Sequence, residues 1–404
     1  MAELYGINSR LLNGNAQSPV SSTSCLVIFG SAYSSNAKLG IPQKIYNYKE
    51  YLTIYHSGSE SEGHLLLDDA AEYALSNVSG IWFVNVNKTS STTESASASS
   101  EYIEDALSYI VLNSSDIPNL VCIPGTQDST VLSILVGQCK GGINGQFHAQ
   151  GIVDCAHSSS QIDASGNPVA DQITVPNADG CLLSAWGNVI LEENESNEIT
   201  KHIPASIVFA VKRIEQDAEN INNLPYRSIG NLRISCKGLC TSVGGTLTRC
   251  TCKQNKMSDV AENGIISLVN QGNSRWFTWG DHTSAVTAGS TEDETYRFDS
   301  SVAMLYHVLN RFIQKWSSII DSPMSLRIRD CILNEQQDYL NGLKTVGCLV
   351  GNPKCEFRSV DNTSDSIGKG QFYFTNIATT TPPAKYVELQ VQYTESGLSA
   401  YVEG

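Results

Sequence analysis

No stretch of this chain approaches the roughly 18 consecutive apolar residues that a membrane-spanning helix needs. The opening from Met1 to Arg10 has no apolar core of the kind that marks a secretory leader. A reducing compartment is therefore expected, and disulfides are not assumed among the twelve cysteines. Cys25, Cys122, Cys155 and Cys181 sit within apolar runs and read as small buried hydrophobes. The short chemical signatures are missing too: there is no P-loop, no G-x-G-x-x-G, no H-E-x-x-H, no EF-hand loop and no G-x-S-x-G. No repeat of fixed period and no heptad run is present. Positive charge is scarce, 26 basic against 41 acidic residues for a net −15, which argues against a partner bound through phosphates. The same excess keeps the chain soluble by self-repulsion and makes any assembly sensitive to salt.

What is there is globular. With 404 residues, 41% of them apolar and 17% charged, the chain can bury more than one core. Strand signals at residues 26–29, 81–86, 120–123 and 150–155 alternate with helical ones at 65–75, around Tyr102, Ala106, Tyr109 and Ile110, and at 129–139. That alternation predicts a layered α/β core. Residues 87–100 form a Ser/Thr-rich loop and 158–180 a polar one. Residues 182–191 read as extended, and Pro204 opens a helix to about residue 214. Residues 231–255 read as a hairpin around Gly244-Gly245, and two further strands are expected between 260 and 278.

The clearest pattern lies in the C-terminal quarter. Asp299 and Ser300 offer N-cap chemistry. Val302, Leu305, Tyr306, Leu309, Phe312, Ile313 and Trp316 then recur at helical spacing over about five turns. Pro323 stops that helix and can open the next, whose stripe is Ile328, Cys331, Ile332, Tyr339, Leu340 and Leu343, closed at Gly347. Extended stretches are expected at 355–360 and 371–377. After the stiff Pro382-Pro383 spacer, Val387, Leu389, Val391 and Tyr393 alternate with Glu388, Gln390 and Gln392, a period-two strand signal. Two readings fit this last strand. It is an edge strand folded back on its own domain, or a strand donated to a neighbour's sheet.

Candidates for chemistry are few. Cys236, Cys240, Cys250 and Cys252 form a C-x3-C and C-x-C set; C-x-C on a strand points both thiols to one face, and zinc, a disulfide across the hairpin and free thiols all remain open. Asp154, His157 and a serine supply the residue types of a hydrolase triad, although such trios are recognised by geometry.

The order of features resembles the tail sheath proteins of contractile phage tails, R-type tailocins and related injection systems. Cys25-Leu26-Val27-Ile28-Phe29-Gly30 resembles the family's first buried strand, and Gly40-Ile41-Pro42 with Ile45 and Tyr51-Leu52 the segment after it. Leu120-Val121-Cys122-Ile123-Pro124-Gly125 is similar to its strand end at Pro-Gly, and His202-Ile203-Pro204-Ala205-Ser206 to its turn before a helix. Asn263-Gly264-Ile265-Ile266, Trp279-Gly280-Asp281-His282-Thr283, Gly347-Cys348-Leu349-Val350-Gly351, Asp361-Asn362-Thr363 and Pro382-Pro383-Ala384-Lys385-Tyr386-Val387 resemble later family motifs in the same order. Specificity lies in that order over residues 25–395. His282 departs from the family's usual Arg, and Tyr226-Arg227 from its usual small cluster.

The resemblance implies an α/β (α+β) chain in four parts. These are an N-terminal arm (1–20), an α/β sheath domain (21–285) that is subtilisin-like in fold but without a protease site, a C-terminal sheath domain (286–384) and a C-terminal arm (385–404). It implies a structural protomer, not an enzyme, with no cofactor and no metal. Its partners would be neighbouring sheath protomers in stacked helical rings, the inner tail tube, and baseplate and terminator proteins, with no nucleic acid and no direct membrane insertion. Assembly would take place in the cytoplasm. The arms that pair with other subunits would carry Leu4, Tyr5, Ile7 and Leu11 at one end and Val387, Leu389, Val391 and Tyr393 at the other. The alternative from another class is a cytosolic α/β enzyme of unknown chemistry.

Overall fold

The computed structural model describes residues 24–31, 39–55, 66–87, 100–125, 128–286 and 294–394. Leu4, Tyr5, Ile7 and Leu11 lie outside the described residues, as does most of the Ser/Thr-rich loop.

The first body is built on one large sheet. β1 (Cys25–Ser31) is buried along its whole length, as its unbroken apolar sequence requires of a strand covered on both faces. It is followed by β2 (Gln43–Ile45), α1 (Tyr48–Tyr55), α2 (Leu66–Asn77) and β3 (Ile81–Asn87). Next come α3 (Ser100–Asn113), β4 (Pro118–Ile123), α4 (Ser129–Gly141) and β5 (Gln150–Asp154). β1 lies between β3 and β4, parallel to both, with Val27 opposite Trp82 and Val121. Its alternate side chains feed two cores. Leu26 and Ile28 join the layer that holds Tyr51, Ala70 and Phe209, while Val27 and Phe29 join the layer that holds Ile103, Ile110 and Leu132.

After β6 (Leu182–Ala185) the chain changes sheets. Residues 182–191 are not one extended run, because Gly187 turns it at φ +95°, a value that favours glycine. β7 (Asn188–Glu193) and β8 (Ile199–Pro204) thus start a second, antiparallel sheet. α5 (Ala205–Glu219) follows, with Pro204 at its N-cap and most of its length buried; it outruns the expected end at 214 because no breaker intervenes before Asn220. β9 (Arg233–Ile234), the hairpin of β10 (Gly238–Val243) and β11 (Thr246–Cys250), α6 (Gln254–Glu262), β12 (Ile265–Asn270) and β13 (Trp276–Trp279) complete this body. The large sheet runs β2-β3-β1-β4-β5-β6-β12-β13-β9 and the smaller one β11-β10-β7-β8. β3 through β12 run parallel; the outer strands β2, β13 and β9 are antiparallel. In the Asn263-Gly264 turn, Gly264 has φ +72°, and a Cβ there would lie 2.2 Å from the Val286 carbonyl oxygen, so only glycine fits.

The second body begins with α7 (Asp299–Trp316). The expected cap residue Asp299 is instead the first helical residue. Phe298 holds the cap position without a side-chain bond, and the Asp299 carboxylate is committed to Arg213. α8 (Leu326–Val346) opens three residues after Pro323, capped by Ser325, whose hydroxyl accepts the Ile328 N–H, and ends on Gly347 in the left-handed region. β14 (Leu349–Glu356), α9 (Ser364–Gly368) and β15 (Thr375–Thr380) follow. β14 starts earlier than expected and β15 ends later; their antiparallel ladder bulges between Val350 and Lys354, around Gly351 and Pro353. The Asp361-Asn362-Thr363 turn has a clear cause: buried Asn362 donates to the Arg358 and Tyr373 carbonyls and accepts the Tyr373 N–H.

α7 joins the two bodies by facing two cores at once. Val302 and Tyr306 pack with Cys139 and Leu182 of the first body. Met304 and Val308 pack with Leu340, Leu343 and Leu349 of the second. Among the described residues no helix is long and apolar enough to cross a membrane.

Candidate assembly interface

From Thr381 to Tyr393 the chain carries no regular element and joins no sheet among the described residues. Thr381 is still attached, through its N–H to the Cys348 carbonyl and its hydroxyl to the Gly347 carbonyl. Lys385 is the next anchor. Its ammonium pairs with Asp281 of the first body and lies 5.6 Å from the centre of the Phe298 ring, a cation–π contact. Asp281 is itself buried, accepts the Ser228 hydroxyl, and gives its carbonyl to the Asp299 N–H at the start of α7. From Tyr386 to Tyr393 the apolar residues face water: Val387 and Leu389 are 85% exposed, Val391 84% and Tyr393 75%. The expected period-two pattern is present, but residues 386–393 join no sheet among the described residues. A strand needs a second backbone, and none of the described residues supplies one.

Among the described residues β14 and β15 pair only with each other, so each has there an outer edge whose backbone groups are unladdered. A two-stranded sheet is marginal alone. Here Cys348 and Leu349 pack on Leu340 and Leu343 of α8, which fixes the sheet on a rigid helix. Val350 and Ile377 remain exposed on it.

The two bodies are tied by polar contacts of high sequence separation. Asn310 of α7 and His148 exchange two hydrogen bonds of 2.7 and 2.8 Å. The Gln150 side chain donates to the Asp299 carbonyl; within the second body, Thr380 of β15 donates to Ser301 of α7. Arg213 of α5 reaches Asp299 at 2.7 Å. At the position where the resembling family has Arg, His282 bonds the Ala261 carbonyl at 3.0 Å and lies against Phe298; burial pushes its pKa down, so a neutral ring suits the site. Tyr226 packs beside the small core of the second body with Arg227 over its ring.

The residues considered for catalysis come apart. Asp154 accepts the Ser206 hydroxyl at 2.7 Å and N–H at 3.1 Å, and the Gly125 N–H at 2.8 Å. It thus clasps the N-terminus of α5 to the end of β4, and Ser206 is fully buried. His157 is elsewhere engaged: its Nδ1 accepts the Ser242 N–H. The four cysteines are unbridged. In the hairpin, Cys240 pairs with Arg249 and Cys250 with Leu239, so their side chains leave opposite faces. Cys252 does not share a strand face with Cys250, because it lies beyond β11 with φ +51°. Among the described residues no group of three or more His, Cys, Asp or Glu is placed to hold a metal.

With this geometry in view, the architecture defines a class. The chain resembles the helical sheath of the anti-feeding prophage in its contracted state (TM-score 0.65, 14% identity, 98% of this chain and 100% of that one). It resembles the contracted PVC sheath complex of an extracellular contractile injection system equally well (0.66, 15%, 98% and 98%). The sheath tail protein from Listeria innocua is more distant (0.54, 10%, 88% and 95%). No family model and no curated protein matches the sequence. The fold is that of contractile sheath proteins, an α/β body carrying a smaller α+β body, and it covers nearly the whole chain.

Proposed function

We propose that this chain is the protomer of a contractile sheath, a structural protein that polymerises helically around an inner tail tube and contracts to drive the tube through a target envelope. The observation that carries the reading is the pairing of one ready strand with one open edge. Residues 386–393 present Val387, Leu389, Val391 and Tyr393 on a backbone that joins no sheet of the described residues, and among those residues β14–β15 has unladdered sides on the same small body. A strand from one copy on the edge of the next is a heterologous contact, which repeats with a rotation and a rise into an open filament. Four side chains buried at ~1.5–3 kcal/mol each, with main-chain hydrogen bonds of ~1 kcal/mol net, hold neighbours together while the bodies turn.

The N-terminal arm, residues 1–20 with Leu4, Tyr5, Ile7 and Leu11, pairs with another subunit in the same way. The division at residues 21–285, 286–384 and 385–404 separates the outer body, the linking body and the second arm. α7 and α8 face the tube. Baseplate and terminator proteins meet the two ends, and assembly takes place in the cytoplasm. Contraction needs two packings of the same bodies, differing by about a few kcal/mol per protomer, so the stroke needs no nucleotide.

Electron microscopy of the purified protein at low and high salt tests this. Striated hollow tubes of uniform diameter are expected. A uniform population of small particles under every condition overturns it.

A further inference from the structure

The small sheet of the second body has two outer edges, and the fold closes one of them. Gln337 of α8 donates an amide hydrogen to the Pro353 carbonyl at 2.9 Å and accepts the Cys355 N–H at 3.0 Å. These are outward groups of β14, two residues apart, and the side chain makes the two bonds that a neighbouring strand would make. Pro353 itself has no N–H to give. β15 has no such cover. The Thr381 N–H bonds the Cys348 carbonyl, so by the alternation of an antiparallel ladder Thr380, Ala378 and Asn376 turn their N–H and C=O groups outward. Among the described residues no hydrogen bond reaches those groups. No residue of β15 is buried, whereas Leu349 and Pro353 of β14 are.

Beneath the open edge lies an apolar floor. β15 runs along α7 in the opposite sense: Thr380 bonds Ser301 at 2.8 Å, and Phe374, just before β15, packs on Phe312 with ring centres 6.1 Å apart. Met304 and Val308 turn from that line toward α8, while Val302 and Tyr306 turn toward the first body. At about 100° per residue, Leu305 and Leu309 fall roughly 40° and 80° round from Ser301, on the side away from α8. Neither belongs to the three buried cores; Leu305 is half-buried and Leu309 is 44% exposed. A third strand beside β15 would lie over them. Floor and arm also match in length, since Ser301 to Phe312 spans ~16 Å of helix and Val387 to Tyr393 ~20 Å of strand.

We propose that residues 386–393 of a second copy add to the outer edge of β15, laying Val387, Leu389, Val391 and Tyr393 over Leu305 and Leu309 of α7, while Gln337 keeps any strand off β14. The proposal rests on the strand exchange described under the proposed function and names its receiving site. In that place the apolar face of the incoming strand covers the floor, and Glu388, Gln390 and Gln392 turn to water beside the exposed Ile377 and Thr379. The chain's own tail does not fill the site: Lys385 is pinned to Asp281 of the first body, and residues 386–393 join no sheet among the described residues.

The test uses the full chain, kept dilute enough to stay unassembled, and a synthetic peptide of residues 385–394 with a fluorophore at its N-terminus, read by fluorescence anisotropy. One saturable site per chain is expected. Leu309→Lys puts a charge on the floor at an exposed position, and Ala378→Pro removes an outward N–H from an edge where proline is tolerated. Each should weaken binding at least tenfold. Gln337→Ala, which uncovers β14, should leave it within twofold. No saturable binding, or binding indifferent to Leu309→Lys, overturns the proposal, and tighter binding to Gln337→Ala overturns it in favour of β14. A peptide of residues 2–13 that binds where the first does not, and is lost in Leu309→Lys, overturns the occupant in favour of the N-terminal arm. Should a variant not fold, the wild type decides. The peptide with a benzophenone group at position 389 should cross-link within residues 301–312, and cross-links confined to α8 or β14 sink the site. Binding is read on single chains, so the two readings fail separately. Tubes formed by Leu309→Lys at the wild-type critical concentration sink this site and leave the sheath reading, whereas a wild type that forms no tubes sinks the sheath reading whatever the peptide does.

Discussion

Ending the chain after Lys385 separates what holds the protomer together from what would hold protomers to each other. Over its described part, residues 386–394, the removed segment includes Val387, Leu389 and Val391, each at least 84% exposed, so little buried apolar area is lost there. Both anchors of the segment's root, Thr381 and Lys385, are retained. The expected cost to folding is that of an exposed surface change, within about 0.5 kcal/mol, and Tm should move by less than ~2 °C. Assembly should respond very differently. The four apolar side chains represent ~6–12 kcal/mol of burial before ordering costs. Losing even 3 kcal/mol of that would raise the critical concentration roughly 100-fold. Thermal unfolding by circular dichroism, with sedimentation and negative-stain microscopy over a concentration series, measures both quantities on the same preparation. Tubes at an unchanged critical concentration would refute strand donation by this tail. A fall in Tm of more than about 5 °C would show instead that the tail belongs to its own body.

Three further outcomes follow from the interior. Arg213→Met leaves Asp299 and Asp217 buried without their cation and should cost about 3–5 kcal/mol in urea unfolding. The Asp217 carboxyl is raised from 3.8 to about 6, so the folded state holds that proton more tightly than the unfolded one. Its stabilising contribution is complete below pH 3.8 and is lost as pH rises through 6. Wild-type stability should therefore fall relative to Asp217→Asn by about 2–3 kcal/mol between pH 4 and pH 7, and a flat difference would contradict this. Asn362→Ala removes three hydrogen bonds from a buried turn and should cost about 2–3 kcal/mol, with faster amide exchange confined to residues 358–374.

Much of the layered core was legible because burial on both faces leaves its mark in the sequence: β1 has no polar residue before Ser31, and the stripes of α7 and α8 recur at helical spacing. α6 was not legible, since only Met257 and Val260 are buried on it and two apolar positions set no period. The turn at Gly187 hid a change of sheet inside a run that reads as continuous. Asp299 has the composition of a helix cap, and nothing near it in sequence announces Arg213, 86 positions away. Asp154 and His157 have the residue types of a triad, yet Asp154 bonds Ser206 of the His202–Ser206 turn while His157 bonds Ser242. The exposure of Val387 and its neighbours follows no local signal, because alternation looks the same on a strand that is paired and on one still waiting.

The anchoring of the tail at Lys385 also has a bearing on how an assembly would stop. On the proposed reading, each protomer sends out one strand and offers one open edge, so every joint has a direction. In any finite stack the last ring at one end keeps an unfilled slot, and the ring at the other an unclaimed strand. Growth has no internal halt, and neither end can be left bare without inviting stray pairing. Length control therefore has to come from outside this chain, from proteins whose surfaces imitate one half of its own joint.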